Sequence, residues 1–350
     1  MRILVAAPGP NFSVQDVYHG WVDALRELLG KESVFIFNLD ARLAFYNSTY
    51  VALEGQEGVF RKALDQQQAI DLAINGLPAA LFKIRPHVLF VISGFFFHDD
   101  MQTNPILDQA RALGTKVVVL HTESPYEDER QLKVAAHADL NLVNDYTNLA
   151  DFRAIGPSYY QGHCYRPGIH HPGPAVPGME SDFAFIGTSF PSRIAFFEAM
   201  NFEGIDVALG GHWGRLPEDS PLQKYLAHDI QMCMDNETTA NAYRSTKASI
   251  NLYRQESPWP INAAQGQTCG PREIELAACE TFFLRDPRTE SDVLFPMLPT
   301  FHGPDDASEK LRWWLAHDVQ RYDAAAAAHQ RIADRTFHNA AKVLLRHLEP

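Results

Sequence analysis

Arg272 and Glu275 have the residue types and the spacing expected of a site for a phosphorylated sugar or nucleotide. They lie in the run Gly270-Pro-Arg-Glu-Ile-Glu-Leu-Ala-Ala-Cys279, three residues apart, and so share one face of a predicted helix. A carboxylate there can accept hydrogen bonds from two ribose hydroxyls, and a guanidinium can bind a phosphate through two N–H groups. A surface Arg–Glu pair would show the same spacing, so both interpretations stay open.

A glycine-hydroxyl turn occurs upstream, in the run Phe183-Ala-Phe-Ile-Gly-Thr-Ser-Phe-Pro-Ser-Arg193. Apolar residues predict a strand, and the turn Gly187-Thr188 then leads into a predicted helix. Backbone N–H groups, hydroxyls and Arg193 would converge at this helix N-terminus, which favours an anion site. An ordinary Ser/Thr cap with a solvated Arg193 is the alternative. Arg254, which ends the run Ser249-Ile-Asn-Leu-Tyr-Arg254, is a further candidate cation.

Titratable side chains follow predicted strands in the first half of the chain. Asp16 ends the loop Pro8–Asp16, and His121 opens the acidic segment His121-Thr-Glu-Ser-Pro-Tyr-Glu-Asp128. His98-Asp99-Asp100 follows another strand. Asp16 and, after it, His121 are the candidates for a general base, since a carboxylate or a histidine can take a proton. Each could equally be a capping or solvated residue.

Several other chemistries find little support in the motifs. The chain has no GxxxxGK[ST], no GxGxxG after the first strand and no GxSxG, which argues against a P-loop enzyme, a classical dehydrogenase and a serine hydrolase. His163, Cys164, His170 and His171 are zinc-ligand types, but they lie in a Pro/Gly-rich connector at spacings that match no metal motif. We therefore expect no metal site.

Strand-like and helix-like segments alternate along the chain and must position these side chains. The predicted strands are Ile3–Ala7, Val34–Phe37, Val88–Ile92, Val117–Leu120, Leu140–Val143, Phe183–Ile186, Val207–Leu209, Ser249–Leu252 and Phe282–Leu284. Their continuously apolar character is typical of parallel strands covered on both faces. The segment Gly156–Gly178, rich in proline and glycine, separates the two series. The pattern predicts two α/β domains followed by a helical segment, Asp306–Leu348, broken near Asp318.

Composition agrees with this organisation. At ~150 residues per domain, 350 residues suggest two domains. The net charge of -13 argues against a broad nucleic-acid or anionic-membrane surface. The four cysteines show no CxxC spacing, which indicates reduced thiols, and no apolar run reaches the ~20 residues that span a bilayer. These features predict a cytoplasmic protein without a membrane span.

Four segments in the second half together resemble the GT-B glycosyltransferases of group 1, and in particular their CgeB-like (spore-maturation-protein-like) branch. They are residues 183–193, 248–254, 272–286 and 335–345, in the family's order. Two positions depart from the family pattern: Ile274 replaces a usual aromatic residue, and Glu280 stands where glycine is common.

The resemblance implies a GT-B fold, in which two Rossmann-like α/β domains face each other across a cleft and a C-terminal helix crosses back. It implies an acceptor-binding domain at 1–168, a nucleotide-sugar-binding domain at 169–320 and a final helix at 321–350. In the family, the glutamate matching Glu275 holds the donor ribose. Arg272 would also face the nucleotide, and Gly187, Thr188 and Arg193 the diphosphate. Arg254 would add positive charge.

The expected reaction is transfer of a sugar from a nucleotide-diphosphate sugar, a UDP-sugar by the family's habit, without a metal or another cofactor. The acceptor stays open between a protein, a glycan precursor and a small molecule, and nucleic acid is disfavoured. Two alternatives remain, a non-catalytic GT-B-like nucleotide-binding scaffold and a UDP-sugar epimerase. The sequence specifies neither the stereochemical course nor the oligomeric state.

Overall fold

The computed structural model describes residues 1–7, 15–54, 66–93, 103–227, 234–256 and 266–349. The chain divides into two compact units, Met1–Gln161 with Ala341–Pro350, and Gly162–Ala340. The sequence predicts a boundary after residue 168. β6 (Ser158–Tyr160), within the presumed connector, pairs with the first sheet and so stays in the first unit. The division falls before residue 168 because Tyr165 forms a β-bridge with Thr336 and Ile169 O accepts from Arg244, both within the second unit.

The first unit is built on one parallel sheet. Its order is β2-β1-β3-β4-β5-β6, with all pairs parallel. The strands are β1 Ile3–Ala7, β2 Val34–Asn38, β3 Val88–Ser93, β4 Lys116–His121, β5 Leu140–Val143 and β6. The helices are α1 Gln15–Leu29, α2 Leu39–Glu54, α3 Gln66–Ile74, α4 Gly76–Ile84, α5 Thr103–Ala112, α6 Asp128–Ala135 and α7 Leu149–Ile155.

Burial explains why these segments adopt strands and helices. Every residue of β1 is buried, which matches its uninterrupted apolar sequence. In α1, Trp21 and Leu25 are buried while Asp23 and Glu27 are exposed, so the helix covers the sheet with one face. Each predicted strand of the first half is present within one or two residues of its expected ends.

The second unit repeats the arrangement with four parallel strands, in the order β10-β9-β7-β8. The strands are β7 Ser181–Ile186, β8 Val207–Gly210, β9 Thr246–Asn251 and β10 Phe283–Arg285, and the helices between them are α8 Pro191–Ala199, α9 Asn236–Ser245 and α10 Pro271–Ala278. If the strands of each unit are numbered in chain order within that unit, the sheet of the second unit has the order 2-1-3-4 when read from β8. The first four strands of the first unit, β2-β1-β3-β4, have the same order. In such sheets, ligands bind outside the strand carboxyl ends where the order reverses. In the second unit that point lies between β7 and β9.

The end of the chain forms separate helices rather than one long segment. These are α11 Thr289–Leu294, α12 Pro304–Leu315, α13 Asp318–Arg331 and α14 Phe337–Leu348. The expected break near Asp318 is confirmed, and a second break precedes Phe337. Ala324, Ala325 and Ala328 of α13 join the core of the second unit, so only residues from Ala341 onward group with the first unit. No helix within the described ranges is long and apolar enough to cross a bilayer.

Candidate functional site

Two glycine turns meet where β7 and β8 end. The amide of Gly187 donates to Gly210 O at 2.9 Å, and Ser189 N donates to His212 O at 2.9 Å. Gly211 has φ +98°, and a Cβ there would lie 2.7 Å from Gly187 N, so no larger residue fits. Because Gly187 and Gly211 approach each other closely and carry no side chains, no side chain of theirs covers the backbone at the ends of β7 and β8.

Arg272 spans the point where the strand order reverses. Its Nε donates to Ile186 O, the last carbonyl of β7, at 3.0 Å, and its Nη1 donates to Asn251 Oδ1, at the end of β9, at 3.1 Å. The Tyr243 hydroxyl also hydrogen-bonds with this guanidinium. A guanidinium has five N–H donors, so these three contacts fix its orientation and leave donors for a ligand.

Gly187 is required for this position of Arg272. A Cβ on Gly187 would lie only 2.5 Å from Arg272 Nη2 and 3.0 Å from Phe185 Cζ. The guanidinium carbon lies 4.6 Å from the centre of the Phe185 ring, which packs beneath it. The structure therefore brings two of the predicted site residues, Gly187 and Arg272, into contact.

The two glutamates of α10 have different surroundings. Glu273 is fully buried, and its carboxylate accepts from Gly270 N at 2.8 Å, from Ser291 Oγ at 3.0 Å and from the Tyr253 hydroxyl. Burial raises the pKa of Glu273, against the effect of these hydrogen bonds. Glu275 is half-buried and lies one turn beyond Arg272, on the same helix face. Glu273 thus holds the helix start, and Glu275 is the carboxylate placed for a ligand.

Arg193 lies beside the Gly187 turn but binds backbone carbonyls. Its Nε and Nη2 donate to Leu252 O at 3.1 and 2.8 Å, and its Nη1 donates to Thr188 O at 3.1 Å. The residue is buried. Arg193 therefore ties the turn after β7 to the segment after β9, and it holds Thr188 through the main chain.

Three guanidinium groups surround the ring of Phe190, the residue that precedes α8. Their Cζ atoms lie 5.2 Å (Arg193), 5.7 Å (Arg254) and 5.8 Å (Arg215) from its centroid. Arg254 is half-buried and Arg215 is exposed. In a chain of net charge -13, this is a local concentration of positive charge next to a helix N-terminus.

The N-terminus of α8 holds a carboxylate from the chain itself. Glu256 accepts from Ser192 N at 2.8 Å and from Ser192 Oγ at 2.9 Å. Burial alone would raise the pKa of Glu256, but the hydrogen bonds from Ser192 and nearby backbone amides outweigh it and lower the pKa. The anion that this helix N-terminus binds is therefore the carboxylate of Glu256.

The two candidate bases have different positions. His121, the last residue of β4, is completely buried; its Nε2 lies 2.8 Å from Asn141 Oδ1, and its ring packs against Phe152 at 4.8 Å. Asp16 lies buried in the first turn of α1. Most of the Pro8–Asp16 loop and all of His98–Asp100 fall outside the described residues. His121 therefore belongs to the interior of the first sheet.

Sequence reasoning missed several residues of this site. Asn251 orients Arg272, Gly211 makes room for Gly187, Arg215 adds charge, and Glu256 caps α8. The glycine pair Gly210-Gly211 directly after a strand was a usable signal for a tight turn. Glu256 lies 64 residues from Ser192, and no local pattern indicates that contact.

Known proteins resemble this chain in sequence. Residues 193–346 match the profile of a family described as glycosyl transferase-like. The chain is 25% identical over 225 residues to spore protein CgeB of Bacillus subtilis (strain 168), covering 60% of this chain and 68% of that protein.

Solved structures share the fold at low identity. A glycosyltransferase from Rickettsia africae superposes with a TM-score of 0.62 at 10% identity, covering 99% of this chain and 97% of that one. A UDP-N-acetylglucosamine 2-epimerase superposes with a TM-score of 0.61 at 11% identity, covering 99% and 95%.

Two parallel-sheet α/β units of this kind, with a glycosyl transferase-like second half, define a GT-B glycosyltransferase, as the sequence predicts. Within that class the chain is similar in sequence to spore protein CgeB.

Proposed function

We propose that this enzyme transfers a sugar from a nucleotide-diphosphate sugar, with a UDP-sugar as the first donor to test, to a hydroxyl- or amine-bearing acceptor. The observation that carries the proposal is the face of α10. There a guanidinium anchored across the β7 and β9 ends lies one turn from a half-buried carboxylate. Phosphate and ribose are the groups that these two side chains bind best.

Departure of the nucleotide diphosphate requires stabilisation of developing negative charge. Arg272 is already oriented by Ile186, Asn251 and Tyr243, so it would not need to reorganise during the reaction. We propose that Arg272 and Arg254 contact the diphosphate and that Gly187 and Thr188 approach it with their backbone. Arg193 holds these segments together. In this proposal positive side chains do the work that a divalent cation does elsewhere, and no metal is required.

The ribose and the acceptor proton need separate groups. Glu275 is proposed to accept from the ribose hydroxyls. For the acceptor proton we propose Asp16, a carboxylate in the first turn of α1. His121 is instead proposed to hold the carboxyl end of β4 against β5, because its ring is buried and hydrogen-bonded to Asn141.

Nucleotide binding and turnover test the proposal in sequence. The melting temperature is measured with millimolar UDP, GDP and TDP and with their sugars, since a ligand at 100 times its Kd adds about 2.7 kcal/mol of stability. We expect at least one nucleotide to raise the melting temperature. No stabilisation by any of them would refute both transferase and epimerase activity.

The products then separate the remaining functions. Release of nucleoside diphosphate in the presence of an acceptor identifies a transferase, and an altered sugar still attached to the nucleotide identifies an epimerase. Binding without either product, across a panel of protein, glycan and small-molecule acceptors, indicates a scaffold.

A cytoplasmic location is part of the same proposal. Cys269 and Cys279 are buried thiols, and Cys164 also forms no disulfide with any described residue. Thiols of this kind are typical of reducing compartments.

A further inference from the structure

His170 is a buried histidine next to the proposed donor site. Its side chain is 1% exposed. It lies in a turn in which Ile169 N and His170 N both donate to Arg166 O, at 2.9 and 2.8 Å. Burial, followed by the positive charges of Arg166, Arg244 and His171, lowers the pKa of His170 to about 4. The ring is therefore neutral at physiological pH.

The hydrogen bonds of His170 identify which nitrogen of its neutral ring carries the hydrogen. Arg166 N donates to His170 Nδ1 at 3.5 Å, so Nδ1 acts as the acceptor. A neutral imidazole has one acceptor and one donor nitrogen. Nε2 therefore carries the hydrogen, and it is the donor that can serve a ligand.

The residues on either side fix the ring against the second unit. Arg244 Nη1 donates to Ile169 O at 3.0 Å. The backbone amide of His171 hydrogen-bonds with the thiol of Cys279, immediately after α10. These contacts hold the segment onto α9 and α10, the helices that flank the site.

The ring reaches the ligand-binding face of α10. A ring nitrogen of His170 and a carboxylate oxygen of Glu275 lie within 4.8 Å of each other. At this separation one hydroxyl oxygen can contact both atoms. With an O–H···O distance of about 2.7 Å and an N–H···O distance of about 2.9 Å, the angle at a bridging oxygen is about 118° or less. Such an angle is normal for a hydroxyl that donates to one partner and accepts from the other.

We propose that His170 and Glu275 bind one ribose hydroxyl of the donor between them, with the hydroxyl donating to Glu275 and accepting from His170 Nε2–H. The inference rests on the proposed nucleotide-sugar site and deepens it. Only a group that is both donor and acceptor satisfies this pair. His170 therefore makes the site selective for ribonucleotides over deoxynucleotides, because a missing hydroxyl leaves the buried N–H of His170 without the acceptor that the ribonucleotide supplies.

Binding of deoxy analogues tests this role. Calorimetry first identifies which of UDP, GDP and ADP binds most tightly, and the same nucleotide is then compared with its 2′-deoxy and 3′-deoxy forms. For the wild type we expect one deoxy form to bind about tenfold more weakly. His170→Leu, which keeps the volume but removes the donor, should weaken binding of the ribonucleotide three- to tenfold and leave binding of that deoxy form nearly unchanged.

Two further variants separate binding from folding. His170→Gln retains an N–H at similar reach and should restore most of the discrimination. His171→Ala is the matched control, since His171 is exposed and its backbone amide is retained; it should behave as the wild type. If His170→Leu discriminates as the wild type does, the inference is wrong while the proposed function stands. If the wild type binds no nucleotide, both fall.

Discussion

Replacing Gly187 by alanine should remove the phosphate-binding position of Arg272 while leaving most of the fold in place. The added Cβ would lie 2.5 Å from Arg272 Nη2, so the guanidinium must move. The displaced group is the end of a long side chain, which can rotate away at little energetic cost. The second contact, 3.0 Å to Phe185 Cζ, needs a shift of a few tenths of an ångström in a core ring. We therefore expect only a small loss of stability.

The expected loss of binding follows from the hydrogen bonds that Arg272 would make. A hydrogen bond to a charged group contributes about 1.5–3 kcal/mol. At about 1.4 kcal/mol per tenfold change, Gly187→Ala should weaken nucleoside-diphosphate binding about 10- to 100-fold. Calorimetric titration measures this, and Gly168→Ala is the matched control, since a Cβ there meets no atom within 4 Å.

Gly211→Ala should mainly lower stability, whereas Gly187→Ala should mainly weaken nucleotide binding. Its φ of +98° and the clash with the Gly187 backbone cannot be relieved by a side-chain rotation. We expect the free energy of unfolding to fall by about 2–4 kcal/mol, which lowers the melting temperature by roughly 5–15 °C.

The double variant Gly187→Ala/Arg272→Ala supplies the decisive comparison. If Gly187 acts through Arg272, the two effects on affinity will not add; additive effects, or a Gly187→Ala protein that binds nucleotide normally, would refute the reasoning.

Three further substitutions test other contacts. Glu275→Leu should weaken nucleotide binding about tenfold at an unchanged melting temperature, whereas Glu273→Leu should lower the melting temperature by several degrees, because it removes the acceptor of three buried hydrogen bonds; equal melting curves for the two variants would contradict this assignment. Glu280→Gly should stabilise the protein by about 1 kcal/mol, measured by urea unfolding, because Glu280 has φ +57° at a position suited to glycine. Glu256→Gln should cost about 1 kcal/mol at pH 7 by removing the charge from the α8 N-terminus. The pKa of Glu256 lies below its ordinary 4.5, so this stabilisation is present above pH 4.5 and is lost as the pH falls through the lower folded-state value; a difference from wild type that stays constant from pH 7 down to the acid-unfolding transition would contradict it.

The strands were predictable because parallel strands buried on both faces leave continuous apolar runs. β1 and β5 coincide with their predicted bounds, and the other predicted strands differ by one to three residues at their ends. β6, Ser158–Tyr160, was missed. It has three residues, lies at the sheet edge and is only partly buried, so no apolar run marks it.

The shared face of Arg272 and Glu275 was predictable from helix geometry alone. The hydrogen-bond partners of the arginines were not predictable, because they are distant in the sequence: Arg193 and Leu252 are 59 residues apart, and Arg272 and Ile186 are 86 apart.

The turn at Glu280 departs from the family pattern in sequence but not in backbone structure. Glu280 N donates to Ala277 O at 3.1 Å and Thr281 N donates to Leu276 O at 2.9 Å, so α10 ends in a Schellman motif although glycine is absent. Backbone hydrogen bonding therefore keeps the turn at a position where the family pattern has glycine.

The same distant contacts give the site its catalytic suitability. A guanidinium free to move must lose conformational entropy when it binds a phosphate, whereas Arg272 is already ordered by a strand carbonyl, an amide side chain and a phenol. That ordering is supplied by folding, where β7 and β9 diverge, and not by the substrate. Positive charge fixed in advance at the place where negative charge develops lowers the barrier without reorganisation. The repeated 2-1-3-4 strand order therefore does more than define a fold, because it creates the divergence between two strand ends across which Arg272 is held.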